Sequence, residues 1–314
     1  MENESNKTGL RVNRRQQQIL FGIEKLDTQE QDLFFLSSPF ASLSLPHRRE
    51  WDTTAIKNNG DKIEVLVHKV TNGRDTLVIE GSPSFGMPYG TYPRLFHYFI
   101  CSEIKRTKSP EIFLNSSMTA FMQELGLSGK GDQRKRFYDQ ILRFLNASYR
   151  LEKVDPESGK TRLIYPDKPL KECDIEKVWK GKKSNDTPQV VRILFKDWFV
   201  KEILDSAVPF HKDAIISLKG STLAMDLYTW ITWRTHTLNR SKKKMAVIKL
   251  ENFEAQLGVS YKDKRFFRRD LRKAFNEVAA LYPQANMQIE DDRVILHAAP
   301  EALNAAPKKD KEGK

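Results

Sequence analysis

The sequence predicts an α+β protein with two tandem winged-helix modules, each a helix-turn-helix followed by a β-hairpin wing, behind an N-terminal extension. Three observations lead to this prediction. The chain is basic, one order of predicted helices and strands occurs twice, and one short motif recurs at the same place in both passes. A length of 314 residues fits about two domains.

The net charge indicates a polyanionic partner. Lysine and arginine number 53 and aspartate and glutamate 41, which gives +12 at pH 7. Such an excess favours nucleic acid, because each phosphate that is neutralised releases condensed counterions. Solubility alone is the alternative explanation, so the distribution of the charge along the chain has to decide.

The composition also limits the class of protein. Hydrophobic residues make up 39% of the chain, enough to bury real cores. No stretch approaches the roughly 18–20 apolar residues that a membrane helix needs, and the N-terminus has no apolar export segment. Cys101 and Cys173 suggest no disulfide framework. We therefore expect a protein of a reducing cytoplasm that is not associated with a membrane.

Residues 1–85 are predicted to form an N-terminal arm with a β-hairpin. A basic cluster, a glutamine run and apolar residues indicate a short amphipathic helix within residues 1–36. Further on, two runs rich in β-branched residues flank Asn72-Gly73, which is a strong hairpin signal. Proline and glycine between Gly81 and Gly90 then interrupt regular structure.

The first module is predicted over residues 86–205. Pro93 fits the first turn of a helix, and Ser116 or Ser117 fits the cap of a second helix. The predicted order is a helix to about 106, a strand at 111–114, a second helix, a third helix at 132–146, and strands at 148–154 and 190–195. The last two strands would form the wing around a long insert, residues 155–188. Its basic residues either touch phosphates or belong to a solvated loop: Lys160, Arg162, Lys177, Lys180, Lys182 and Lys183.

The second module is predicted over residues 206–298, with a disordered tail at 299–314. It repeats the order as a helix from Ser221, a strand at 245–248, helices at 250–257 and 262–281, and a hairpin of 287–289 and 293–297. An internal repeat supports the duplication. Phe121, Leu125-Gly126 and Ser128 recur as Phe253, Leu257-Gly258 and Ser260, 132 residues further on.

The third helix of the second module is the predicted DNA reader. In a helix-turn-helix this helix lies in the major groove, where arginine pairs with guanine, asparagine pairs with adenine, and lysine contacts phosphates. Phe267, Leu271, Ala274 and Val278 have the spacing of a core face, flanked by Phe266 and Phe275. The predicted DNA-binding residues are Lys262, Lys264, Arg265, Arg268, Arg269, Arg272, Lys273 and Asn276. A solvated basic face supported by Asp263 and Asp270 is the alternative, although seven basic residues outnumber two acidic ones over residues 261–275.

The third helix of the first module is also basic. Its candidate DNA-binding residues are Lys130, Arg134, Lys135, Arg136 and Arg143. Tyr138 and Phe144 broaden its apolar surface, so a protein-facing role, for example in a dimer interface, is an equal alternative.

The sequence predicts binding and no catalysis, with neither cofactor nor metal. The histidines are single and far apart, and no zinc-finger spacing occurs: His47, His68, His97, His211, His236 and His297. The stretch from Gly126 to Gly131 lacks the spacing of a phosphate-binding loop.

Three motifs resemble the plasmid-encoded RepA replication initiators. They are the segments 87–95, 117–126 and 223–230, and Arg265-Phe266-Phe267-Arg268 and Tyr282-Pro283 are also similar, so the likeness covers about residues 86–298. The resemblance implies binding of double-stranded DNA at repeated origin sequences, opening of the origin, control of plasmid copy number, and recruitment of the host initiator and replicative helicase. It also implies repression of the protein's own promoter as a homodimer, and a location in the bacterial cytoplasm in association with plasmid or nucleoid DNA. A winged-helix transcriptional repressor that is not an initiator is the main alternative, and a nickase or recombinase with an unrecognised site is a third.

Overall fold

The structure, a computed structural model, describes residues 13–26, 32–49, 52–58, 61–114, 117–155, 158–163, 167–174 and 191–304. Within these segments the chain is mixed helix and sheet, as the sequence predicts. The helices are α1 (Arg14–Leu26), α2 (Ser38–Ser42), α3 (Thr91–Thr107), α4 (Met118–Glu124), α5 (Asp132–Asn146), α6 (Asp197–Ser206), α7 (Lys212–Leu218), α8 (Thr222–Arg240), α9 (Leu250–Gln256) and α10 (Lys264–Leu281). The strands are β1 (Leu33–Ser37), β2 (Asp52–Asn58), β3 (Asp61–Thr71), β4 (Asp75–Glu80), β5 (Glu111–Leu114), β6 (Ser148–Val154), β7 (Thr161–Leu163), β8 (Leu170–Cys173), β9 (Val191–Phe195), β10 (Ala207–His211), β11 (Met245–Lys249), β12 (Asn286–Ile289) and β13 (Arg293–His297). None of the helices in this described part is both long and apolar enough to cross a membrane.

Two groups of elements have the same order, and we call them the first copy (α3, β5, α4, α5, β8, β9) and the second copy (α8, β11, α9, α10, β12, β13). Each contains a helix, a strand, two further helices and two strands. The sheet order is β5-β9-β8 in the first copy and β11-β13-β12 in the second, so the last strand is central in both. The predicted serine caps are confirmed. The Ser117 side chain caps α4 by accepting from the amide of Ala120, and the Ser221 side chain caps α8 by accepting from that of Ala224, both at 3.2 Å.

The repeated Leu-Gly pair has a structural cause. It ends α4 and α9 in the same way, with Gly126 and Gly258 in the left-handed region at φ +69° and +63°. In the first copy the amide of Leu127 donates to the carbonyl of Met122 at 2.8 Å, and the same long bond recurs from residue 259 to residue 254 at 3.3 Å. This glycine-dependent helix end reverses the chain before the third helix of each copy.

The predicted wing of the first copy was wrong. Strand β6 pairs with β4 and β7 and not with β9, which completes a five-stranded sheet of order β2-β3-β4-β6-β7. Its buried residues Tyr149 and Leu151 lie opposite Ile79 and Leu77, also buried, so β6 continues the buried face of the N-terminal hairpin. The place beside β9 is taken by β8, from a segment that the sequence indicated as loop. The insert residues Lys177, Lys180, Lys182 and Lys183 lie outside the described residues.

The hairpin predicted at Asn72-Gly73 is confirmed. Strands β3 and β4 pair antiparallel around it, and Gly73 has φ +88°. The Asn72 side-chain oxygen accepts from the amides of Arg74 and Asp75 at 3.0 and 2.8 Å, which closes the turn.

The N-terminal arm is tied to the centre of the molecule. Helix α1 confirms the predicted amphipathic helix and packs on α7 and α10, whereas residues 33–37 form a strand that pairs with β10. In that pair Phe34 lies opposite Phe210, and both are buried. The sequence analysis did not anticipate α6, β10 or α7, which connect the two copies.

A buried ion pair joins the arm to both copies. Arg94 of α3 donates to Asp226 of α8 through Nε at 2.8 Å and through a terminal nitrogen at 2.7 Å. Arg94 also donates to the carbonyls of Leu45, Pro46 and Gly90. Burial alone would raise the pKa of Asp226, but the charge of Arg94 and hydrogen bonds from Arg94 and His47 hold that pKa well below its usual value.

The predicted disordered tail was wrong for its first residues. Ala302 is buried, and His211 Nε2 lies 3.2 Å from its carbonyl oxygen. The Tyr282 hydroxyl donates to the carbonyl of Pro300 at 2.5 Å. These contacts bury backbone that composition alone marked as polar tail, while residues 305–314 lie outside the described residues.

A buried histidine gives the fold a pH dependence. The His97 ring lies among Phe40, Phe144 and Phe199, and its Nε2 has no hydrogen-bond partner among the described residues. Burial lowers the pKa of His97 to about 3 and that of His68 to about 4. Below pH about 6.5 the unfolded chain therefore takes up protons that the folded chain does not.

We expect the free energy of unfolding to fall with decreasing pH between about 6 and 4, by up to about 1.4 kcal/mol per pH unit for each of these histidines. His97→Phe should remove its share of that slope, measured by urea unfolding at several pH values. His236→Phe, at a half-exposed position, is the control. An unchanged slope in His97→Phe would show that another group causes the pH dependence.

Candidate nucleic-acid interface

Helix α10 has one buried face and one basic face. Phe267, Leu271, Ala274 and Val278 are buried against the second copy, as predicted. Asp263 caps the helix by accepting from the amide of Arg265 at 2.8 Å. The eight predicted DNA-binding residues of this region lie away from the buried face, and all except Arg268 are exposed.

Several of these side chains are already paired. Lys264 pairs with Glu254, Arg265 with Asp263 at 2.6 Å, and Arg269 with Asp270 at 2.9 Å. The Arg265 and Arg269 side chains are nevertheless 80% and 66% exposed, so these pairs contribute little to stability and are easily exchanged for a ligand. Part of the charge thus belongs to the self-paired face that the sequence left open as the alternative.

Arg268 and Arg272 point to the hairpin of the second copy. Arg268 donates to the carbonyl of Asp291 at 2.7 Å and Arg272 to that of Ile289 at 3.2 Å. Arg268 is only 20% exposed. The sequence analysis grouped these two arginines with the DNA-facing ones, whereas the structure shows that they also fix the hairpin to the helix.

Phe266 is exposed, although the sequence predicted that it would flank the core face. Half of its surface, 51%, is accessible, and the Arg269 guanidinium lies 5.1 Å from its ring centre. The adjacent Phe267 fills the core position instead. The result is an apolar ring among cations near the N-terminal end of α10.

The N-terminal end of α5 carries a second basic group. Lys130, Arg134, Lys135 and Arg136 are exposed there. Arg143 does not join them, because it is 17% exposed, donates to Asp139 at 2.8 Å and stacks over the Tyr89 ring. Arg143 therefore anchors the loop before α3, and its placement does not favour contact with DNA.

The arm helix α1 packs against the C-terminal half of α10 and lies near the N-terminal end of α5, which sequence reasoning missed. Arg15 pairs with Glu277 of α10 and donates to the carbonyl of Ser217 at 2.8 Å. Arg14, the residue before Arg15 on α1, lines a cavity together with Arg136 of α5. The cluster of Arg14 and Arg15 was visible in the sequence, but its partners are more than 100 residues distant.

Comparison with known proteins identifies the family. The family model described as plasmid encoded RepA protein matches residues 87–251, more than half of the chain. No curated protein sequence matches. Two crystal structures of domains 2 and 3 of RctB, one of them from a selenomethionine derivative, are similar with TM-scores of 0.48 and 0.46 at 13% identity. Each covers 83% of this chain, and 98% and 97% of the RctB chains are covered. The chain belongs to the family of plasmid encoded RepA proteins.

Proposed function

We propose that this protein is a plasmid replication initiator that binds repeated duplex DNA at the origin. The family match over residues 87–251 is the observation that carries the proposal. The net charge of +12 and the exposed cations of α10 are in accord with a DNA partner.

The two copies are proposed to be winged-helix modules, at about residues 86–205 and 206–298. Their element order and their three-stranded sheets with a central last strand support this assignment. The wing of the first module is then β8 and β9, and the β6–β7 pair is an addition that joins the N-terminal hairpin.

Helix α10 is proposed to be the major-groove helix. Arg265 and Arg269 near its N-terminal end would contact base edges, Asn276 is available to adenine, and Lys273 would contact phosphates. The hairpin tip carries Glu290, Asp291 and Asp292, whose negative charge disfavours close approach to the phosphate backbone. We therefore place the helix, and not this wing tip, nearest to the DNA.

The remaining partners are proposed from the family. They are the host initiator, the replicative helicase and a second copy of this chain, with action by binding alone and without a catalytic step. Control of copy number and repression of its own promoter would follow from the same DNA contacts.

The test is fluorescence-anisotropy binding to DNA that flanks the gene, against scrambled duplex, over a salt series. Binding to directly repeated segments that survives salt which removes the scrambled complex is the expected result. Binding to a single inverted repeat, with plasmid maintenance unaffected by deletion of the gene, would favour the repressor. Equal binding to both duplexes would refute sequence-specific recognition of DNA.

Base reading and phosphate contact are separable by substitution. Arg265→Ala is expected to weaken binding to the specific duplex by about 1–3 kcal/mol and to relax sequence preference. Lys273→Ala should weaken binding to specific and scrambled duplex alike. Competition titrations of both variants measure the difference, and identical behaviour of the two would contradict the assignment of α10.

A further inference from the structure

A cavity of about 700 Å³ lies where the arm meets the first copy. Its walls are α1, the first turn of α3, the turn between α4 and α5, the beginning of α5, and Lys219 after α7. The volume is in the range of sites that hold small molecules. It lies beside the N-terminal end of α5 and is separate from the exposed face of α10.

Three cations from three different elements line this cavity. Within the part of the chain that the structure describes, the side chains of Arg14, Arg136 and Lys219 have no hydrogen-bond or ion-pair partner, although the Lys219 carbonyl accepts from the Thr91 hydroxyl. The single carboxylate among the lining residues, Asp139, accepts from Arg143 at 2.8 Å and is thereby engaged elsewhere. The positive charge of the cavity is therefore uncompensated.

Neighbouring cations and a helix N-terminus add to the positive potential at Lys219. Burial, and then the charges of Arg15 and Arg14, lower the pKa of Lys219. The first turn of α3 also lines the cavity, and its N-cap, Gly90, supplies no side chain to cap the helix. Like charges gathered without a counter-charge cost free energy, and an anion in the cavity would recover it.

We propose that this cavity is a phosphate-binding site formed by Arg14, Arg136 and Lys219. Gln18 and Gln133 in the lining offer side-chain amides to the remaining phosphate oxygens. Two sources carry this chemistry. One is a backbone phosphate of duplex DNA held at the N-terminal end of α5, which rests on the proposed function. The other is the phosphate chain of a free nucleotide.

The site brings together residues from three separate parts of the fold. Arg14 belongs to the arm, Arg136 to the third helix of the first copy, and Lys219 to the connection between the copies. A phosphate that bridges them would fasten the arm against the first copy when DNA or nucleotide is bound.

The first experimental arm uses inorganic pyrophosphate and ATP. Thermal unfolding of the full chain is measured in each, against chloride of equal ionic strength. A free-nucleotide site predicts that both raise Tm of the wild type, and that Arg136→Gln and Lys219→Gln abolish the increase. Arg240→Gln, which removes an exposed cation outside the cavity, is the matched control.

The second arm measures the salt dependence of DNA binding. If the site holds a backbone phosphate, Arg136→Gln and Lys219→Gln should each reduce the slope of log K against log salt by about 1, with Arg240→Gln unchanged. Unfolding midpoints in chloride identify any variant that is misfolded. Arg14→Gln, at an exposed position on α1, replaces such a variant.

The two experiments distinguish failure of the phosphate site from failure of the proposed function. If the wild type binds DNA and the cavity variants alter neither the salt slope nor the pyrophosphate response, the phosphate site is refuted while the proposed function stands. If the wild type binds no DNA, the proposed function fails, and the pyrophosphate experiment alone tests the phosphate site. If the cavity variants change the result of only one of the two experiments, that supports the phosphate site and identifies the source of the phosphate.

Discussion

Asp226→Ala is expected to destabilise the protein by about 3–5 kcal/mol, because it leaves the buried guanidinium of Arg94 without its counter-charge. The two side chains are 4% and 12% exposed, so water cannot replace the lost carboxylate. His47 loses a partner in the same step, since its Nε2 lies 2.9 Å from Asp226. Urea unfolding of the variant and the wild type at pH 7 measures the difference.

Two comparisons make this result specific. Asp205→Ala breaks the exposed pair of Lys201 and Asp205 and should change stability little. Replacing both partners of the buried pair, as in Arg94→Met with Asp226→Leu, should recover only part of the loss, because three carbonyls lose their donor. A loss in Asp226→Ala as small as that in Asp205→Ala would show that the buried ion pair between the arm and the two copies does not stabilise the fold.

Phe253→Ala is expected to cost a similar amount, about 3–5 kcal/mol, through the cavity that it leaves. The ring is fully buried and packs edge-on against Trp230, with 4.6 Å between ring centres. Phe121, its counterpart in the repeat, is 1% exposed and packs against Phe99 at 4.8 Å. Phe121→Ala should therefore lose about as much stability in the same urea experiment.

An exposed phenylalanine of the same copy provides the control. Phe266→Ala should alter stability by no more than about 0.5 kcal/mol, because its ring is half exposed. Equal losses in Phe253→Ala and Phe266→Ala would mean that the repeat does not mark the core.

The local pattern of the sequence predicted most elements of the two copies. Ser117, Ser221 and the repeated Leu-Gly pair act through hydrogen bonds to near neighbours in the chain, so their effect on helix ends is encoded within a few residues. The alternation of buried side chains along α10 likewise follows from one helix period.

The candidate site was predicted less completely, for a physical reason. The pattern of α10 separates a basic face from an apolar face, but it does not say which cations meet an acceptor from another element. Arg268 and Arg272 have the same charge as Arg265 and a different task, because carbonyls of the hairpin lie within their reach. Arg143 likewise reaches the Met87 carbonyl and the Tyr89 ring, which belong to the loop before α3. Phe266 is exposed for a similar reason, because the adjacent Phe267 occupies the buried position at the start of α10.

The sequence by itself determined the α+β class, the caps and turns, the basic faces, and the motifs of the RepA family. These features depend on residues within one helix or hairpin. Only the tertiary structure decided that β6 joins the N-terminal hairpin, that β8 takes the place beside β9, and that β1 pairs with β10. Strand partners and buried ion pairs such as Arg94 with Asp226 join positions that are far apart in the chain, and several apolar strands compete for each place. Packing of the whole chain resolves that competition, because it selects the pairing that buries the most apolar surface without leaving charge unpaired.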